Sequence, residues 1–317
     1  MVTISDFVKI PKFDSCKHLS TGMRYDWFIH WTEFVIPEFN EGKFLDAGSE
    51  EDLKIRAEVE SYTNMRIGSA HDAFLLFCHA ISESVSENVT ELNGTINVDL
   101  ISNLNNPSDF IDAIKSSCEK YADKIKVNPY LGLNSSDDKN INLATMLLES
   151  GIFAGIELYG TGFAEKPEKF LTIFKTARKM NLESRIGCLG FKNFADRDSV
   201  VEIIQNLQPT RLLNPNVAVN KDNLSVFKDG KILPEVVAFF KNDGIKIEFS
   251  PAPFLSGHCS SEKLHVIREF SELGIPFSLC TEDLLYLNKS LSEFATDLCN
   301  EGVFSQEELV NIISNRP

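Results

Sequence analysis

SRIGCLGFKNFADRDSVVEIIQNLQPTRLLNPN, residues 184–216, contains one complete repeat of the fold. SRIGCLGF (184–191) and TRLLNPN (210–216) are short β-rich runs bounded by turn residues. Between them Ser199 can cap a helix in which Val200, Ile203, Ile204 and Leu207 repeat at i, i+3, i+4, i+7, a single apolar stripe facing a sheet. Strand, covering helix, strand is the unit that builds a parallel sheet, because parallel neighbours need a long crossover. Working outward, the same alternation recurs. Upstream lie TINVDLIS (95–102), KIKVNPYLGL (124–133) and GIFAGIELYG (151–160); downstream lie GIKIEFSP (244–251) and IPFSLCTED (275–283). KIPKFDSCKHL (9–19) supplies an earlier strand. Helical stripes fall between them, as in Phe110, Ala113, Ile114 and Ser117, and Ser305-x-x-Glu308 opens the last helix as a capping box. Eight strands alternating with helices over 317 residues predict an α/β protein, a (β/α)8 barrel spanning 1–317 as one domain.

The roughly 75 residues between the first two strands are too long for a βα loop. Trp27, Phe28, Trp31 and Phe34, then SEEDLKIRAEVESY and AHDAFLLFCHAI, read as several helices. Because loops after barrel strands sit over the C-terminal mouth, residues 20–92 are expected to form a helical lid, with the tryptophans in its core.

Composition narrows the function. With 31 basic and 46 acidic residues the net charge is −15, a field that repels phosphate backbones and anionic lipid, so neither nucleic acid nor membrane is an expected partner. No apolar run approaches the ~18 to 20 residues of a bilayer span, and the start of the chain lacks a secretory pattern. Seven scattered cysteines without CxxC spacing read as reduced thiols, and the expected location is the cytoplasm. The expected partner is a small molecule; the oligomeric state is open.

In a barrel, residues at the strand ends converge on one pocket. Strand one ends in Asp14-Ser15-Cys16-Lys17-His18, strand five in Cys188-Leu189-Gly190-Phe191, strand six in Asn214-Pro215-Asn216 and strand eight in Cys280-Thr281-Glu282-Asp283. Cys16 and His18, two apart, share the mouth-facing side. Glu282 and Asp283 work as a pair only if the strand bends there. His258, after strand seven, can reach the mouth.

These segments resemble the adenosine deaminase-like family of the amidohydrolase superfamily. Pro11 to Leu19 (PKFDSCKHL) is similar to the family's opening PKxELHxHL, Gly155 to Gly160 (GIELYG) to GIDLAG, Arg211 to Asn214 to RLGH, and Phe277 to Asp283 (FSLCTED) to SLNTDDP. Arg185 to Phe191 takes the place of the HAGE strand, and Ile247 to Pro251 that of FEICP. The resemblance implies a hydrolase barrel acting on a nucleoside. Family zinc ligands correspond to Cys16, His18, Cys188 and Glu282; the HAGE glutamate corresponds to Phe191, and the water-orienting histidine to Asn214. All four ligand positions still hold zinc-competent types, so the cofactor is either none or one divalent metal, zinc first. A metal-free alternative uses a thiol activated by His18. Expected catalytic residues are His18, Cys188, Glu282 and Asp283, and expected substrate contacts are Ser20, Gly160, Phe191 and Asn214. Phe191 cannot protonate a purine ring. The chain therefore reads as a diverged deaminase-like enzyme for a small nucleoside-like or amino-bearing substrate rather than a standard zinc adenosine deaminase; the alternative is a catalytically silent relative that binds a small molecule or protein.

Overall fold

The computed structural model describes residues 2–36, 50–104, 106–134, 140–160, 163–188, 197–215, 244–251 and 261–316, with short pieces at 227–228, 231–232, 237–238 and 240–241. Eight parallel strands run in sequence order around a (β/α)8 barrel: β1 (Lys12–His18), β2 (Val89–Asn97), β3 (Lys126–Asn134), β4 (Gly155–Tyr159), β5 (Glu183–Gly187), β6 (Arg211–Leu213), β7 (Lys246–Phe249) and β8 (Phe277–Leu279). The seam between β8 and β1 closes beyond the regular part of β8. There a parallel bridge joins Lys17 to Glu282, the His18 amide donates to the Glu282 carbonyl at 2.9 Å, and the Glu282 amide donates to the Cys16 carbonyl at 2.7 Å. The residues that seal the barrel are thus also its mouth. An antiparallel ribbon of Phe227–Lys228 with Lys231–Ile232, not foreseen in the sequence, lies between β6 and β7.

Helices α1 (Ile4–Val8), α2 (Tyr25–Thr32), α3 (Glu50–Arg66), α4 (Ala70–Ser86), α5 (Pro107–Lys120), α6 (Ile141–Leu148), α7 (Leu171–Lys179), α8 (Arg197–Leu207), α9 (Ser261–Glu272), α10 (Leu284–Leu287), α11 (Leu291–Asn300) and α12 (Gln306–Ser314) accompany the strands. Their stripes bury as the spacing requires: Phe110, Ala113, Ile114 and Ser117 of α5 are all buried. The Ser305 box is formed, with the Glu308 amide donating to Ser305 Oγ at 3.3 Å and the Ser305 amide donating to Glu308 Oε2 at 2.8 Å. The second strand starts at Val89, earlier than the expected 95, because polar Thr90, Glu91 and Asn93 disguise a strand whose partners satisfy them. The segment between β1 and β2 splits: α4 packs on α5 along the barrel wall as an ordinary crossover helix, whereas α3 lines the mouth.

The apolar core lies between strands and helices, and the barrel interior is largely ionic. Arg185 and Arg211 are fully buried. Arg185 Nη1 donates to Glu157 at 2.8 Å and its Nε to Glu248 at 2.5 Å, while Arg211 donates to Glu248 at 3.0 Å and to Glu183 at 2.8 Å. Charge alternates along Glu157, Arg185, Glu248, Arg211 and Glu183. Such a chain is tolerable only because each desolvated charge has bonded partners on both sides. Above it sits a small apolar layer of Cys16, Leu213 and Cys280.

Candidate functional site

At the end of β1 the pairing register slips between Asp14 and Lys17. Lys17 turns outward, donating to the Ala80 carbonyl at 3.0 Å and to Ser84 Oγ at 2.9 Å, which leaves His18 in the mouth. His18 Nε2 stands 3.1 Å from Glu157 Oε1 and Nδ1 3.2 Å from Asp283 Oδ1. Both contacts are served by donors only when the imidazole is charged. Burial works to lower its pKa, but Asp283 and Glu157 outweigh burial and hold it well above the ordinary histidine value. Glu157 is fixed in turn: burial opposes its charge, yet His18 and Arg185 keep its carboxyl far below the usual range.

The acidic pair at the end of β8 depends on a backbone bend. Glu282 has φ +56°, in the left-handed region that non-glycine residues seldom occupy, and so Glu282 and Asp283 both face the mouth. Asn214, after β6, is left-handed as well, with φ +53°. Two such residues side by side cost of order 1–3 kcal/mol each and concentrate at functional sites. Their strain is held by bonds between them: Asn214 Nδ2 donates to Glu282 Oε2 at 3.2 Å and to Ser250 Oγ at 2.8 Å, and Ser250 Oγ donates to Glu282. Burial, then the neighbouring Asp283, pushes the Glu282 carboxyl up to about 7. Asp283 accepts from Thr21 Oγ1 and faces Arg56 Nη1 of α3 at 3.5 Å.

Above this floor opens a cavity of about 310 Å³ whose lining includes Arg56, Glu60 and Asn64 of α3, Asn97, Tyr159 and Tyr286. Of the residues expected from sequence, His18, Ser20, Gly160, Glu282 and Asp283 also line it. Gly160 has φ +92° where the chain leaves β4, a turn no side chain takes readily. Asn214 lies behind Glu282, and Cys16 lies beneath His18 with Sγ 3.7 Å from Glu157 Oε2. Cys188 does not join them. Arg185 and Gly187 face the barrel interior, so Cys188 falls on the opposite side, packed in the core between strand and helices. That placement corrects the expectation of Cys188 as ligand or catalyst. Phe191 and His258 lie outside the described residues. Glu157, Arg56, Glu60 and Tyr286 were not anticipated.

No protein-family model matches the chain. A protein of Treponema pallidum (strain Nichols), provisionally named adenosine/adenine deaminase, is 25% identical over 304 residues, 93% of each chain. The N6-methyl-AMP deaminase of Arabidopsis thaliana shares the fold with a TM-score of 0.74 at 16% identity, over 98% of this chain and 92% of that one. An amidohydrolase of Burkholderia ambifaria solved with bound Zn superposes with a TM-score of 0.70 at 17% identity, over 95% and 83%. The chain thus resembles an adenosine deaminase-like protein over nearly its whole length and shares the fold of these solved enzymes.

The donors at this site decide whether it can hold zinc. Cys16, His18 and Glu157 offer ligand atoms within 4.8 Å of one another, the one such group among the described residues. Zinc requires a thiolate and a histidine nitrogen with a free lone pair. Cys16 lies in the apolar layer with Leu213 and Cys280, outside the lining of the cavity. Both His18 nitrogens meet carboxylates, and the guanidinium of Arg185 already neutralises Glu157 from below. The fifth strand presents Gly187 to the cavity instead of a ligand. The donor set does not fit zinc, and no chemical step is derived through one.

Proposed function

We propose that the mouth binds a small, amino-bearing, nucleoside-like molecule and acts on it through His18 instead of through zinc. The observation that carries this reading is His18 held between Glu157 and Asp283 at the floor of a cavity of about 310 Å³. A charged imidazole there can donate a proton to a heterocyclic nitrogen or stabilise charge building on it. Glu282, with a carboxyl near neutrality, can exchange the second proton with the substrate or with water. Asp283 orients His18, Asn214 and Ser250 hold Glu282, and Ser20 and Gly160 line the cavity where the ligand would sit. Helix α3 would serve as a lid, since it reaches the same cavity from the inserted segment. A second reading, binding without turnover, is supported by the same clamp, because both His18 nitrogens are already engaged.

The test is incubation of the purified protein with adenosine, adenine or N6-methyl-AMP, following ultraviolet absorbance and thermal stability with and without chelator. Expected is a ligand-induced rise in melting temperature that His18→Gln abolishes, and no chelator-sensitive deamination in the ~1 to 10³ s⁻¹ range of ordinary enzymes. Chelator-sensitive turnover in that range overturns the reading. Turnover that survives chelation supports the enzyme, and ligand binding alone the silent relative.

A further inference from the structure

Both tryptophans of the chain lie away from the mouth, in a second groove formed by α2, the end of α3, α4 and the end of α5. It encloses about 410 Å³, within the size range of small-molecule sites, and shares no lining residue with the mouth. A ladder of rings forms one wall. Trp27 stacks on Trp31 with centroids 5.2 Å apart and on His79 with centroids 4.0 Å apart, nearly parallel to both. Neither indole N–H has a hydrogen-bond partner among the described residues, and neither is sealed from solvent, so the ladder has donors to spare. Cations flank it. The Arg66 guanidinium carbon lies 5.9 Å from the Trp31 ring centroid, with Nε donating to the Trp31 carbonyl at 2.9 Å, and Lys120 Nζ lies 5.5 Å from the Tyr121 ring. Neither cation forms an ion pair among the described residues, and Glu33, the carboxylate that also lines the groove, pairs with neither. An aromatic ring holds a cation in place without neutralising it, so both charges stay available to an anion. Leu75, 37% exposed, adds apolar surface to the same groove. A bare inorganic anion would leave that surface and the rings wet, and an uncharged apolar molecule would leave the cations unanswered.

We propose that this groove is a second ligand site, for a small apolar carboxylate whose head is drawn to Arg66 and Lys120 and whose body lies on Trp27, Trp31 and Leu75. It is independent of whatever the mouth binds.

The experiment titrates phenylbutyrate into the full chain and follows tryptophan emission, which reports the groove because the chain has no tryptophan elsewhere. Phenylbutanol, without the charge, and butyrate, without the ring, are the controls. Expected is a saturable change in emission, with phenylbutyrate bound about tenfold or more tightly than either control. Lys120→Gln and Arg66→Gln should each weaken phenylbutyrate by about threefold or more, the effect of one partly exposed charge, while leaving phenylbutanol as it was. His18→Gln should bind phenylbutyrate as the unaltered protein does, since His18 lines the mouth alone. No saturable change overturns the site. Equal affinity for phenylbutanol shows apolar contact only, equal affinity for butyrate shows an adventitious ion only, and either overturns it. An affinity unchanged in both cation variants, or lost in His18→Gln, overturns it as well, the latter by placing the ligand at the mouth.

Discussion

Arg185 links the interior of the barrel to its mouth. It holds Glu157 at 2.8 Å from below while His18 meets the same carboxylate from above at 3.1 Å. Replacing it with methionine leaves Glu157 and Glu248 buried beside each other without their shared cation, and removal of one partner from such a network costs about 3 to 5 kcal/mol. Arg185→Met is therefore expected to lower the urea midpoint sharply; a change within error would mean that the ladder contributes nothing. The two thiols make a second comparison. Cys16→Ser, beneath His18, should alter ligand affinity, whereas Cys188→Ser should behave like Cys118→Ser, which calorimetry of the three variants can decide. Cys16 and His18 were legible in the sequence because strand periodicity puts them on one face. Cys188 was misread because a motif in order suggests a ligand, while strand parity, anchored by charged Arg185 inside the barrel, assigns the mouth to Gly187. Glu157 had a readable signal, an acid within the otherwise apolar GIELY. Arg56 and Glu60 had none, since α3 is charged on all sides and carries little stripe.

At the scale of elements, the signals with a local cause were read correctly and those set by tertiary partners were not. The alternation of strands and covering stripes yields the barrel, and Ser305 with Glu308 marks the start of α12 because both groups of the box lie within four residues. Ser305→Ala should cost about 1 kcal/mol, measured by equilibrium unfolding. The early start of β2 and the bend at Glu282 depend instead on neighbours distant in sequence. Gly155 is another such position, at the junction of β3, β4 and β5. A Cβ there would lie 2.5 Å from the Tyr130 ring and 2.7 Å from the Glu183 carbonyl, so Gly155→Ala must displace backbone or a buried ring. Overpacking of this kind costs about 1 to 3 kcal/mol. A melting temperature equal to that of the parent would show that the junction yields freely.

For the molecule as a whole, titration of the interior shapes the pH profile. Burial opposes the charge of Glu183, but Arg211 bonding lowers its carboxyl to about 2, so its stabilisation is complete above about pH 4.5 and is lost as pH falls toward 2. Glu157 and Asp283, also lowered, act in the same direction. Glu282, raised to about 7, runs opposite: protonation between pH 7 and 4.5 favours the folded state. His18, raised, contributes fully below about pH 6.5 and loses stabilisation as pH rises above it, in the same direction as Glu282. The unfolding midpoint should therefore peak between about pH 4.5 and 7 and collapse below 4; a monotonic rise from pH 5 to 8 would contradict the raised positions of both Glu282 and His18.

His18 is clamped between Glu157 and Asp283, and the central claim is that this clamp leaves no zinc site at the mouth. Zinc titrated into chelator-stripped protein, with X-ray absorption on whatever metal is retained, tests this directly. The predicted result is no stoichiometric site and no dependence of the weak residual binding on His18. One equivalent of zinc with nitrogen at ~2.0 to 2.1 Å and sulfur at ~2.3 Å, lost in His18→Gln, would contradict it.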